Sequence, residues 1–166
     1  MRSVTEVANE FLSHKRIAVT GVSRTPESHG GNVVYKRLRD RGYEVFAVNP
    51  NADSVEGDPC YHDLASIPGG VEVVIIATRP EHAEGTVREA AGLGITRVWM
   101  HRMFGDGSCS AAAAKVGREQ RMTVIEGGCP LMFGVTSDGG HRMLKTFGTW
   151  MGKVPRRVEE PRAAQA

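Results

Sequence analysis

The chain has 166 residues, with 21 Lys and Arg against 19 Asp and Glu and a formal net charge of +2; 40% of residues are hydrophobic and 24% charged. That size suits one domain with a substantial core, and so small a charge gives no electrostatic case for nucleic acid. Cys60, Cys109 and Cys129 are widely spaced without a Cys-x-x-Cys pair, so neither a disulfide framework nor a zinc knuckle is expected and a reducing cytoplasm is the expected setting. Residues 1–15 contain Glu6 and Glu10 and no apolar core of signal-peptide length, and no run of about 18 apolar residues occurs, so no membrane association is expected.

Taken in chain order, Ser3-Val-Thr-Glu6 fits a capping box opening an amphipathic helix with Val4, Val7, Ala8, Phe11 and Leu12 at helical spacing. Ile17 to Thr20 reads as a short strand covered on both faces. Gly31 to Arg41 reads as a helix with Val33, Val34 and Leu38 inward and Lys36, Arg37, Arg39 and Asp40 outward, ended by Gly42. Glu44 to Val48 is the second strand. Asn49 to Tyr61, rich in Asn, Asp, Gly and Pro, reads as loop, and His62 to Ile67 as a single helical turn. Val71 to Ala77 is the third strand. Thr78-Arg-Pro-Glu81 offers a second capping box for a helix running to about Ala91, with Pro80 near the first position. Arg97 to His101 is the fourth strand, Ser108 to Arg121 an Ala-rich helix, and Thr123 to Glu126 the fifth strand.

Strands alternating with helices predict an α/β fold, a Rossmann-like doubly wound parallel sheet of about five strands in the order 3-2-1-4-5 with helices on both faces. Residues 1–130 form this domain. Residues 131–154 form a helical extension, Asp138 to Trp150, whose Met143, Leu144, Phe147, Trp150 and Met151 share one face that packs on the domain or on a symmetry mate. Residues 155–166 read as a disordered tail.

Ligands of such sheets sit beyond the carboxyl ends of the strands. In the loop after strand one, Gly21 allows a tight turn, and Gly30 and Gly31 allow close approach at a helix N-terminus whose N–H groups and dipole suit a phosphate. Ser23 and Asn32 can add hydrogen bonds, Arg24 charge, and His29 a phosphate contact. The alternative is a plain connection punctuated by glycine. Eleven residues exceed the two to six usual there, which favours the site. The second strand ends in Val48-Asn49-Pro50, where an NAD site carries a carboxylate for the ribose diol. Such a carboxylate would repel a 3′-phosphate on the ribose, so its replacement fits CoA or NADP better than NAD. Cys129, in a Gly-Gly-Cys-Pro turn, is either a nucleophile beside a histidine or a residue that shapes the turn. His29, His82, His101 and His141 show no His-x-x-x-His spacing, so no metal is expected, and no Walker-A lysine is present.

Gly21-x-Ser23-x-x-Pro26 with Gly30, Gly42-Tyr43, Val48-Asn49-Pro50, Ile67-Pro68, Arg79-Pro80-Glu81, Val98-Trp99-Met100 and Cys129-Pro130 together resemble the stand-alone CoA-binding domain proteins of bacteria, over roughly residues 14 to 130. Cys129 to Phe133 and Gly152 to Pro155 are similar to a longer branch of that family. The resemblance implies a fold related to the CoA-binding domain of the succinyl-CoA synthetase alpha subunit. It implies that Gly21, Val22, Ser23, Arg24, Gly30, Gly31 and Asn32 hold phosphates, that Val48, Asn49, Pro50, Thr78 and Arg79 surround adenosine, and that Met100 and His101 lie nearer the pantetheine. His101-Arg-Met-Phe-Gly105 departs from a Gln-containing segment common in the family. The expected function is a non-catalytic module that binds or senses coenzyme A or acyl-CoA. Alternatives are an NAD(P)-dependent enzyme or redox sensor, with NADP as cofactor, and a protein-interaction module with a vestigial pocket. A small-molecule nucleotide ligand is the expected partner, with a protein partner or homodimer in addition.

Overall fold

The computed structural model describes residues 1–25, 30–103, 105–137, 139–159 and 161. The chain opens with β1 (Arg2–Ser3) and α1 (Val4–Phe11). The Ser3 hydroxyl accepts the Glu6 N–H at 3.2 Å and the Glu6 carboxylate accepts the Ser3 N–H at 2.9 Å, the expected capping box. There follow β2 (Arg16–Thr20), α2 (Gly30–Asp40), β3 (Glu44–Val48), β4 (Ser54–Val55), β5 (Asp58–Tyr61), β6 (Val73–Ile76), α3 (Pro80–Gly92), β7 (Arg97–Met100), α4 (Ala111–Glu119) and β8 (Thr123–Glu126). Two 3-10 turns (Pro130–Met132 and Gly134–Thr136), α5 (Gly139–Trp150) and β9 (Arg157–Val158) complete it.

The main sheet runs β4-β5-β3-β2-β6-β7-β8, parallel except for the edge strand β4. The Rossmann-like α/β class expected from the sequence is therefore present, with two corrections. Asp58–Tyr61, read as loop, is a strand that pairs with β3 through Ala47 with Cys60 and Val48 with Tyr61. It takes the outer place that the expected order gave to Val71 to Ala77. The latter pairs directly with β2, Ile17 opposite Val73 and Thr20 opposite Ile76. Burial explains the exchange: Val73–Ile76 is covered on both faces and belongs at the centre, whereas Asp58-Pro-Cys-Tyr61 is half exposed and lies toward the rim, flanked there only by the two-residue β4.

The two faces hold separate cores. On one, α1, α2 and the 3-10 turn at Pro130 cover Ile17, Val19, Val73, Ile75, Trp99 and Ile125. On the other, α3 and α4 cover Ala18, Val74, Ile76, Val98, Met100 and Val124. On α2 the inward residues are Val34, Tyr35 and Leu38; Val33 is exposed, contrary to expectation. Tyr35 instead donates its hydroxyl to Asp58 at 2.9 Å, and Arg39 pairs with the same carboxylate, tying α2 to the β4–β5 hairpin. Residues 62–69 form bends and turns rather than the expected helical turn. The helix after β6 is capped by Arg79, not Thr78, and no side chain completes the second capping box.

Met143, Trp150 and Met151 on the α5 side stay exposed within this chain, while Lys145 reaches the Thr5 hydroxyl at 3.1 Å and lies over the Phe133 ring. The tail expected to be disordered contributes β9, antiparallel to β1, with Val158 buried in the α1 core beside Val154, the last residue of the extension. Residues 160 and 162–166 lie outside the described residues.

Candidate functional site

The order in which the chain adds strands reverses between β2 and β6: from β2 it continues to β3 and β5 on one side, from β6 to β7 and β8 on the other. β2 and β6 end in register, Thr20 beside Ile76, and their loops diverge from there, which opens a crevice at the carboxyl edge.

Gly21 leaves β2 at φ +77°, and a Cβ built there would lie 2.6 Å from the Ala77 carbonyl oxygen. Only glycine fits this conformation and this approach. Gly31 is packed alike: a Cβ would meet the Ala77 methyl at 3.0 Å and the Gly21 carbonyl at 3.1 Å, so α2 starts hard against both loops. A Cβ on Gly30 would stand 3.0 Å from the His101 ring, placing that ring beside the first turn of α2.

Asn32 holds the loop rather than facing outward. It is fully buried; its amide oxygen accepts the Ser23 N–H and its amide nitrogen donates to the Ser23 carbonyl, both at 2.8 Å, and to Glu56 at 2.8 Å. Lys36 approaches the same Glu56 at 3.4 Å. Asn49 is committed in a similar way: it donates to the Val22 carbonyl at 2.9 Å and accepts the Asn51 N–H at 2.9 Å. The loop after β6 is fixed by Ser108, which donates to the Thr78 carbonyl at 2.5 Å and whose N–H bonds the His101 carbonyl at 2.8 Å.

These segments border a cleft of about 570 Å³. Of the residues nominated by sequence, Gly21, Ser23, Val48, Asn49, Pro50, Thr78 and Arg79 line it. Val22, Asn32, Met100 and His101 are buried and do not line it, Arg24 is exposed next to Ser23 in the chain, and Gly30 and Gly31 form the start of α2. His29 and Pro26 lie outside the described residues. Cys129 is fully buried in the α1-side core and does not line the cleft.

Asn51 and Ala77, within loops at the strand ends, also line the cleft; the rest of its lining was missed: Thr20 at the end of β2, His62 and Asp63 after β5, and His82, Gly85, Thr86 and Glu89 from α3. Positions 82, 85, 86 and 89 recur at helical spacing beside the stripe of buried Ala83, Val87 and Ala90, a signal present in the sequence once α3 is placed. Arg79 is the one arginine or lysine among the described lining residues. Of the two carboxylates, Glu89 accepts the Leu64 and Ala65 N–H groups at 2.7 and 3.3 Å, and Asp63 accepts the Ser66 N–H at 2.8 Å, so both brace the turn that forms the outer wall. Thr20 Oγ1 and Thr78 Oγ1 are buried without a hydrogen-bond partner among the described residues.

Among the described residues no helix is long and apolar enough to cross a membrane, and no group of three His, Cys, Asp or Glu side chains is gathered to hold a metal.

Known proteins share this architecture. A curated Bacillus subtilis (strain 168) protein, the uncharacterized YneT, is 29% identical over 123 residues, covering 74% of this chain and 87% of YneT. The ADP-forming acetate–CoA ligase II of Archaeoglobus fulgidus is 36% identical over 83 residues, 49% of this chain but 12% of the ligase. A solved structure of a hypothetical protein from Pyrococcus horikoshii OT3 superposes with a TM-score of 0.66 at 30% identity, covering 75% of this chain and 87% of that one. Residues 15–134, which hold the main sheet and every loop of the cleft, match the model of the CoA binding domain, and the chain belongs to that family.

Proposed function

We propose that the cleft binds coenzyme A or an acyl-CoA and that the chain acts as a binding or sensing module rather than an enzyme. The observation that carries this reading is the pairing, across one cleft, of the Gly21 close approach with the Asn49–Pro50 ending of β3. The first turn of α2 at Gly30 and Gly31 fits a diphosphate through backbone N–H groups and the helix dipole, with Gly21 allowing close approach, Ser23 offering its hydroxyl and Arg24 adding charge. Val48, Asn49 and Pro50 on one side and Thr78 and Arg79 on the other fit the adenosine. Asn49 spends its amide on the loop, so it shapes this wall rather than binding a ribose diol. Arg79, exposed at the start of α3, supplies charge for a 3′-phosphate. Met100 and His101 lie below the path toward the pantetheine and support it from beneath, His101 through its packing on Gly30.

The binding-module reading rests on the thiols. Cys129 is sealed in the core, and burial pushes the Cys109 thiol up, away from the thiolate that nucleophilic chemistry requires. The family favours CoA over NADP as ligand.

Thermal unfolding with CoA, NADP and NAD in parallel tests the reading. A ligand at a hundredfold excess over its Kd stabilises the fold by about 2.7 kcal/mol. CoA is expected to raise the melting temperature, and Gly21→Val to abolish that rise. A rise with NADP or NAD and none with CoA overturns the proposal.

A further inference from the structure

Two features of the cleft have no explanation in the packing of the protein itself. The first is Gly85. It lies in the interior of α3, where glycine is destabilising relative to alanine. The comparable interior glycine of α4, Gly117, is required by packing, since a Cβ there would stand 2.6 Å from Val124 Cγ2. At Gly85 no atom lies within 4 Å of a built Cβ, and the residue borders the cleft. Nothing in the chain's own packing excludes a side chain there.

The second is Thr20. It is 4% exposed at the end of β2, yet its hydroxyl has no partner among the described residues. A buried hydroxyl left in that state is costly, and isosteric valine would remove the cost. Thr20 stands beside Val48 and Ile76 in the sheet, both part of the core on the α3 side, so its side chain belongs to the face that α3 covers. The Thr78 hydroxyl, also buried and unpartnered, comes from the adjoining loop. The cleft thus has a polar floor, a flat wall at Pro50 and a bare helix surface at Gly85.

We propose that this arrangement is a slot that reads the nucleobase: the flat base of the nucleotide lies against the bare surface of α3 at Gly85 with its polar edge on the Thr20 hydroxyl. Both residues are then specificity determinants, retained at the expense of the stability of the ligand-free protein. The inference rests on the CoA-binding reading above and assigns its base end to α3 and the β2 terminus.

The test uses the full chain, with calorimetric titration of CoA and thermal unfolding of the ligand-free protein. Gly85→Leu fills the bare surface and is expected to weaken CoA binding at least about tenfold, as overpacking a close-fitting site does. Thr20→Val is expected to weaken it roughly three- to tenfold, the net worth of one neutral hydrogen bond. Both free variants should melt at or above the wild-type temperature, which separates a ligand contact from a structural role. Unchanged CoA affinity in both variants overturns the slot while leaving the binding reading intact. Weakened affinity accompanied by lower melting temperatures in both also overturns it, because general destabilisation then accounts for the loss. Wild-type protein that takes up no CoA overturns the parent reading, and the slot with it.

Discussion

The two faces of the sheet are built from different materials. On the α1–α2 face, large rings interlock: Trp99 packs edge-on against Phe11 and Phe133 with ring centres 6.1 and 5.5 Å away, and its Nε1–H bonds the Gly127 carbonyl at 3.0 Å. Tyr43 crosses the same layer to donate to the Leu12 carbonyl at 2.6 Å. The α3–α4 face is lined by small residues, Ala83, Ala90, Ala113 and Ala114, with Gly117 admitting Val124. The aromatic face encloses its space; the alanine face leaves the outer stripe of α3 to border the cleft. Large-ring packing is concentrated on one side of the sheet, and the proposed reading puts the base end of the ligand on the other, so mutations on the two sides should separate stability from binding.

The largest expected effect is Trp99→Ala. It opens a cavity between two rings and strips the Gly127 carbonyl of its partner, at a cost of about 3–5 kcal/mol. Urea unfolding should show a midpoint shift of that size, and a loss below 1 kcal/mol would break the comparison. Asn32→Ala is intermediate and crosses the divide. Asn32 sits on α2 yet serves the cleft, and its removal leaves the Ser23 N–H and carbonyl unpaired, at about 1–3 kcal/mol. Both the melting temperature and CoA affinity should fall; a fall in only one would assign Asn32 wholly to one side. The smallest effect belongs to neither face. Glu72 accepts a hydrogen bond from His14 and the backbone N–H groups of Arg16 and Lys15, which together hold its carboxyl down at about 2. Its folded state is the more acidic, so its stabilisation is complete above the ordinary carboxylate range and is lost as pH falls through that range toward about 2. The carboxylate is half exposed, which keeps the effect small. Glu72→Gln should lower the urea midpoint slightly near neutral pH and flatten its decline in acid; an unchanged acid slope would remove Glu72 from the account.

Much of this architecture is legible in the sequence where one local signal dominates. Ser3 and Glu6 announce their cap because both partners lie within one turn. Thr123–Glu126 ends as expected because Gly127 and Gly128 follow it at positive φ. Legibility fails where a partner distant in sequence decides. Asp58-Pro-Cys-Tyr61 has loop composition and becomes a strand because β3 has an open edge. Tyr35 displaces Val33 from the interior because Asp58 and Arg39 take its hydroxyl and ring. At the site, the glycine loop and the β3 ending are visible in sequence, but the α3 wall is not. His82, Gly85, Thr86 and Glu89 carry no motif, and become a surface of the cleft only once β6 is known to lie beside β2.

The pairing of β1 with β9 ties residues near one end of the chain to residues near the other: Arg2 faces Val158, and the Val4 N–H bonds the Arg156 carbonyl at 3.1 Å. During synthesis α1 emerges before β9 and cannot gain this clasp until residues 156–158 have left the ribosome. The βα units between them can order sequentially from local contacts, whereas this closure is among the most nonlocal the molecule makes and is expected late in folding. α1 is therefore made well before the strand that secures it, and until β9 arrives the apolar stripe from Val4 to Phe11 lacks part of its cover.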